Sequence, residues 1–228
     1  MSTTTLPTLP PLPDLSAGAV TLPALTDEEL AVLGDTPVLH DRDNEAAWAA
    51  LDAPVRDAVA TAVLRGLVAR DLLTSQAEDL VLTDDLRLIL GVRASPTFVT
   101  VADEIGAATH QPLRVHGIDL EDHERYAALI EATGAGVHRF LLTTIQDAAT
   151  RLATWTLAPR EGTEVVTRTL EVLHPGADTP HYTRALVLAA HGSARIALLD
   201  DTGTAGAPLP ATTQSLHNWL TEAWAGPR

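Results

Sequence analysis

Residues 116–126, HGIDLEDHERY, hold the densest set of side chains that could carry chemistry. His116, Asp119, Asp122 and His123 lie within eight positions, and imidazoles beside carboxylates are the groups that ligate a divalent metal or pass a proton. Their spacing matches no zinc motif such as HExxH. His116 falls near the end of an expected strand and the other three in a charged loop, so a shared metal would require the loop to fold back on itself. The plainer expectation is a solvated loop, with an enzyme built on these four residues kept as an alternative. His181 and Tyr182, in HPGADTPHYTR, flank a Pro- and Gly-marked turn, read as a link between two strands.

Other chemistries are missing at the level of motif. The chain has no Cys, which removes thiolate nucleophiles, disulfides and Cys-ligated clusters. No GxSxG elbow, GxxxxGK[ST] loop or GxGxxG fingerprint occurs, and the GAG at 134–136 lacks the rest of a dinucleotide signature. All 15 basic residues are Arg, so the Lys that serves as a point charge for phosphate is also missing. No catalytic residue and no cofactor is assigned.

The 228 residues are 46% apolar and carry a formal charge of −15. That composition suits a globular core, and the charge opposes nucleic-acid binding, whose affinity rests mainly on cations that displace counterions from phosphate. Residues 1–24 hold Pro7, Pro10, Pro11, Pro13 and Pro23 without a helical period, and read as a disordered Pro-rich tail. They lack the basic region of a signal peptide. No apolar run reaches the roughly 20 residues of a membrane helix. The expected location is cytoplasmic.

The elements that must position these residues follow from pattern. Thr26 with Glu29 forms a capping box at a short helix. A second helix, NEAAWAAL, starts from Asp43 or Asn44, and a third opens at Asp52 with Pro54 in its first turn. In the third, Val55, Val59, Val63 and Leu67, with Leu64, Val68 and Leu72 adjoining, form a wide apolar face that should be buried. Leu80–Leu82 read as a short strand, followed by a helix from Thr83 to about Val92. Beyond Pro96 the period becomes that of strands: FVTVADEI, PLRVHGI, then YAALIEAT and VHRFLLTT around a Gly-Ala-Gly turn. Residues 145–158 suit helix or strand, and helix is favoured, ended by Pro159. TEVVTRTLEVL is another strand, ALVLAA and RIALLDD a second hairpin, and Thr212 to Trp224 a closing helix with Leu216, Trp219 and Leu220 inward. Hairpin-plus-helix thus occurs twice.

Two family resemblances follow from these stretches. RGLVARDLLTSQAEDLVLTDDL, within residues 26–93, resembles the winged helix of multidrug-resistance regulators, which implies a transcriptional regulator as one alternative. Its charge argues otherwise: residues 26–93 hold 14 Asp/Glu against 6 Arg, a balance of −8, and Glu78 and Asp79 sit where a wing would be basic. The layout of YAALIEATGAGVHRFLL, RALVLAAHGSARIALLDDTG and APLPATTQSLHNWL resembles the cytosolic chaperones of actinobacterial type VII secretion. That resemblance implies an α+β protein of two related halves that binds secreted helical-hairpin partners without catalysis.

The expected fold is α+β: a tail at 1–24, a helical winged-helix-like region at 25–94, and at 95–228 an antiparallel sheet with flanking helices, packed with the region before it. The expected function is non-enzymatic binding of another protein, as a chaperone or adaptor, with nucleic acid disfavoured as a partner and no membrane. Trp219 and Trp224, near the C-terminus, are the candidate partner contacts, although packing of the closing helix is the simpler role for them.

Overall fold

A computed structural model describes residues 9–35, 48–76, 79–107, 112–118, 127–159, 165–175, 181–190 and 192–226. Before the main sheet come β1 (Val20–Thr21), β2 (Leu25–Thr26), α1 (Asp27–Val32), α2 (Ala53–Ala69), β3 (Leu73–Gln76), β4 (Asp79–Leu82) and α3 (Asp84–Ala94). Then follow β5 (Val99–Glu104), β6 (Leu113–Ile118), β7 (Ala127–Gly134), β8 (Val137–Thr144), α4 (Ile145–Leu157), β9 (Val165–His174), β10 (His181–Ala190), β11 (Ser193–Leu199), β12 (Leu209–Pro210) and α5 (Thr213–Trp224).

Ten strands form one antiparallel sheet in the order β1-β8-β7-β6-β5-β9-β10-β11-β12, with β2 also paired to β8. This order has an internal symmetry. Residues 99–157 make β5-β6-β7-β8-α4 and residues 165–224 make β9-β10-β11-β12-α5, and the two units meet at the β5–β9 pair. Counted from the N-caps Thr144 and Thr212, the buried helix positions coincide: Ala148, Leu152 and Thr156 in α4, Leu216, Leu220 and Trp224 in α5. The expectation that a hairpin and helix occur twice is met on a larger scale, as four strands and a helix.

Residues 145–158, compatible with either state, fold as helix through Leu157. Their buried positions Ala148, Ala149, Leu152, Ala153 and Thr156 recur at helical spacing. Between β7 and β8 the turn residues Ala135 (φ 51°) and Gly136 (φ 72°) are both left-handed, as a two-residue hairpin turn matched to strand twist requires.

Each sheet face has its own core. On one, α4 and α5 pack over Val115, Ala128, Ile130, Leu170, Val172, Ala185 and Val187. On the other, Leu67, Leu86, Ile89 and Val92 of the preceding helices cover Ile118, Ala127, Leu129, Phe140 and Leu142. Fully buried leucines such as Leu129, Leu152 and Leu220 each contribute about 1.5–3 kcal/mol by leaving water.

Two expectations are corrected and a third, borne out, is extended. Residues 9–24 do not behave as a tail: Leu9, Leu12 and Leu15 pack against the second core, Leu22 is buried, and β1 and β2 add to the edge of β8. Pro removes backbone donors, but these leucines supply enough apolar area to hold the segment down. Secondly, the wide apolar face of α2 is buried only at its C-terminal end. Leu67 is buried and Val63 and Leu64 are partly packed, while Val55 and Val68 are 44% and 43% exposed. Thirdly, the strand at Leu80–Leu82 has a partner the pattern hid: β3 pairs with β4 in a separate two-stranded hairpin. Thr74-Ser75-Gln76 carry no apolar alternation to announce it.

The capping box at Thr26–Glu29 and the start of α2 at Asp52, whose carboxylate accepts from the Val55 amide at 3.0 Å, are as expected. The start of the expected helix at Asp43 or Asn44 lies outside the described residues. No described helix is long and apolar enough to cross a membrane.

Candidate functional site

Strand register brings to the inner surface of the second core a set of charges that the sequence scatters. Arg114 and His116 on β6, Glu131 on β7 and His138 on β8 all project toward the N-terminal helices. Glu131, 0% exposed, is the centre. Its Oε1 accepts from Arg114 Nη1 at 3.3 Å and from His138 Nδ1 at 2.7 Å, while Oε2 accepts from His116 Nε2 at 2.8 Å and pairs with Arg93 of α3. Arg93 also donates from Nε to Asp35 Oδ2 at 2.9 Å, and His138 Nε2 lies 2.7 Å from Asp27 Oδ1.

A carboxylate only accepts hydrogen bonds, so a ring bonded to carboxylates at both nitrogens carries both hydrogens. His138 is therefore an imidazolium. Burial pushes its pKa down, but the hydrogen bond and charge of Glu131 and the bond to Asp27 outweigh this and raise it. Glu131 behaves as the complement. Burial alone would favour its neutral form, yet the bonds from His116 and His138 and the charge of Arg93 hold it well below the usual carboxylate range. For Arg93, the charges of Glu131 and Asp35 overcome burial and raise the pKa.

Three hydrogen bonds and the charge of Arg93 engage both oxygens of Glu131, so the carboxylate is committed to structural partners. The cluster ties α1, Asp35 and α3 to three strands of the sheet. Truncating one member would strand buried charges, an outcome far costlier than the net worth of the pairs.

This places one of the four expected metal or acid/base residues. His116 belongs to the Glu131 cluster, with its Nδ1 buried and unpaired, whereas Asp119, Asp122 and His123 lie outside the described residues. Among the described residues, no group of three or more His, Asp or Glu is placed to hold a metal. Trp224 is buried at 6% exposure, stacked on Phe98 at 4.9 Å, and its indole donates to Thr100 Oγ1 at 2.6 Å. Trp219 is half-buried against the first core. His181 and Tyr182 open β10 and are both exposed.

The sequence did not single out the uncovered half of the sheet. In the first unit both faces are covered. In the second, among the described residues, α4 and α5 cover one face only, and no described residue of β9, β10 or β11 belongs to the core under the N-terminal helices. Register places Val165, Thr167, Thr169 and Glu171 of β9 beside Tyr182, Arg184, Leu186 and Leu188 of β10 and Arg195, Ala197 and Leu199 of β11 on that face. Val165 is 51% exposed, Tyr182 41% and Leu188 37%, whereas Ala197 and Leu173, the register partner of Tyr182, are buried on the same face. Arg184 Nε pairs with Glu171 Oε1 at 2.7 Å and its guanidinium lies over the Tyr182 ring at 5.0 Å. Glu171, Arg184 and Arg195 make this face far less acidic than the chain as a whole.

No family model matches the chain, and no curated protein matches it. The fold is similar to that of the type VII secretion system chaperone EspG5 of Mycobacterium tuberculosis, solved in complex with a PE25-PPE41 dimer. The TM-score is 0.51 over 89% of this chain and 94% of that chain, at 8% sequence identity. Such a likeness is one of architecture, and it agrees with the layout resemblance legible in the hairpin and closing-helix stretches.

Proposed function

We propose that this protein is a non-enzymatic, cytoplasmic binding protein, a secretion-associated chaperone or adaptor, which holds a protein partner on the uncovered face of β9–β11. The observation that carries the reading is the asymmetry of the sheet: helices cover a face of the first unit that the second unit leaves open. Val165, Tyr182, Leu186 and Leu188 supply apolar contact, and the Arg184–Glu171 pair supplies polar register. The fold's similarity to a chaperone solved with a protein dimer supports the same reading. A helical partner suits a broad sheet face whose other half is already covered by the N-terminal helices α2 and α3.

The test is affinity purification from the native host with the wild-type chain and a Leu188→Asp, Tyr182→Ala double variant. The reading expects a reproducible helical partner, a complex that survives size-exclusion chromatography, and its loss in the variant. No partner, or one retained equally by the variant, overturns it.

The sequence of α2, the β3–β4 hairpin and α3 favours one other reading, a winged-helix-type regulator. A hairpin strand that begins at Asp79, in a region of balance −8, makes phosphate contact unfavourable. Fluorescence anisotropy with genomic DNA at low salt separates the two: saturable binding there would favour the regulator.

A further inference from the structure

On the opposite face of the sheet, where α4 begins and α5 ends, lies a pocket of about 420 Å³ lined by Thr97, Phe98, Ile145, Gln146, His174, Thr221, Trp224 and Ala225. Ligand pockets usually span about 300–1,000 Å³, with apolar walls and a few fixed polar groups. We propose that this pocket binds a planar aromatic ligand bearing a hydrogen-bond donor, of the indole or phenol class.

Two of the chain's eight aromatic residues meet here. Phe98 and Trp224 are stacked with ring centroids 4.9 Å apart and planes 11° from parallel, and the His174 ring is tilted against Phe98 at 6.1 Å. Their position is built in. A Cβ on Gly117 would come within 2.3 Å of Phe98 Cε1, so glycine there lets the ring lie against β6, and Thr100 fixes the indole through its N–H. At 3% and 6% exposure the two rings form a fixed aromatic wall that reaches the pocket by its edges, so a further flat ring can pack there without loss of rotamer freedom in the wall.

Among the polar groups, His174 offers an acceptor beside Thr97 and Gln146, whose side chains can donate or accept. Trp224 has already committed its N–H to Thr100, and the Thr221 hydroxyl donates within its own helix to His217 or Asn218. His174 Nε2 donates to the carbonyl of Ala223 at 2.8 Å. That bond fixes the tautomer of the neutral ring and leaves Nδ1 as an acceptor, with no hydrogen bond to it among the described residues. A ligand N–H or O–H would meet that acceptor while its ring packs on the aromatic wall. The inference is independent of partner binding on the other face.

Two-dimensional amide NMR of the full chain, titrated with indole and separately with N-acetyltryptophanamide, tests it. The expected result is saturable shifts at Gln146, Thr221 and Ala225 with Val165 and Leu188 unmoved, and their loss in Gln146→Trp, whose new ring fills the mouth from an exposed position while the rest of the spectrum stays folded. 1-Methylindole, which has no N–H, should bind about tenfold more weakly than indole, and His174→Phe should erase that difference. Tighter binding of indole would make the natural ligand a small molecule; tighter binding of the tryptophan amide would make it a side chain of a peptide. Absence of saturable shifts with both probes, or shifts that persist in Gln146→Trp, overturns the proposal.

Discussion

Glu131 sits in AALIEATG, where every neighbour on its strand up to that position is apolar and buried, so its charge needs the three donors and the Arg93 cation gathered around it. Replacing it with Gln would leave Arg93, Arg114 and His138 without their common counter-charge. The expected loss is about 3–5 kcal/mol, read as a shift of the urea midpoint. The pH dependence has two limbs. The raised pKa of His138 means that its contribution is complete below the unfolded value of about 6.5 and fades as pH rises through the folded value. The lowered pKa of Glu131 means that its contribution is complete above the unfolded value of about 4.3 and is lost as pH falls through the folded one. Denaturation midpoints should therefore peak between those two values, and His138→Gln should flatten the alkaline limb while it lowers the whole curve. A midpoint that keeps rising above pH 7 would contradict this assignment. The cluster was not legible beforehand, because Arg114, Glu131 and His138 meet only by pairing of strands, and Asp27, Asp35 and Arg93 reach them only when the N-terminal helices pack on the sheet. A glutamate alone within an apolar strand was the available signal.

Elements were easier to read than sites, wherever the local pattern and the tertiary packing agree. The closing helix is such a case: Thr212 caps it, Ser215 answers in the box, and Leu216 and Leu220 are buried as expected. Thr212→Ala should cost about 1 kcal/mol, measurable by thermal or chemical denaturation, and Leu220→Ala about 2–5 kcal/mol through the cavity it leaves. Elements whose burial depends on what lies across from them were misread. Val55 and Val68 follow a helical period as regular as that of Leu67, but α2 meets the core only near Leu67, so the stripe overpredicts its contact. Val68→Glu should accordingly leave stability within about 0.5 kcal/mol of wild type. The segment before Leu25 shows the reverse error, since Pro-rich composition hid leucines that find a core. β3 escaped notice because Thr74, Ser75 and Gln76, after the buried Leu73, are polar, and among the described residues it pairs with β4 alone.

At the scale of the molecule, the sheet is a doubled unit with an N-terminal layer added to one half. The α+β class and the order of hairpins and helices were visible in the chain, since they depend on periodicity and turn residues that act locally. The uncovered face was not, because strands β9–β11 carry the same alternation whether their second face meets a helix or water. Register alone shows that Val165, Tyr182 and Leu188 share that face. The most direct test of the account is partner retention with the Leu188→Asp, Tyr182→Ala variant after its circular dichroism and melting have been matched to wild type. The account predicts that the wild-type chain leaves its native host bound to a helical protein and that the folded variant leaves without it. A folded variant that keeps the partner in full would contradict the assignment of this face.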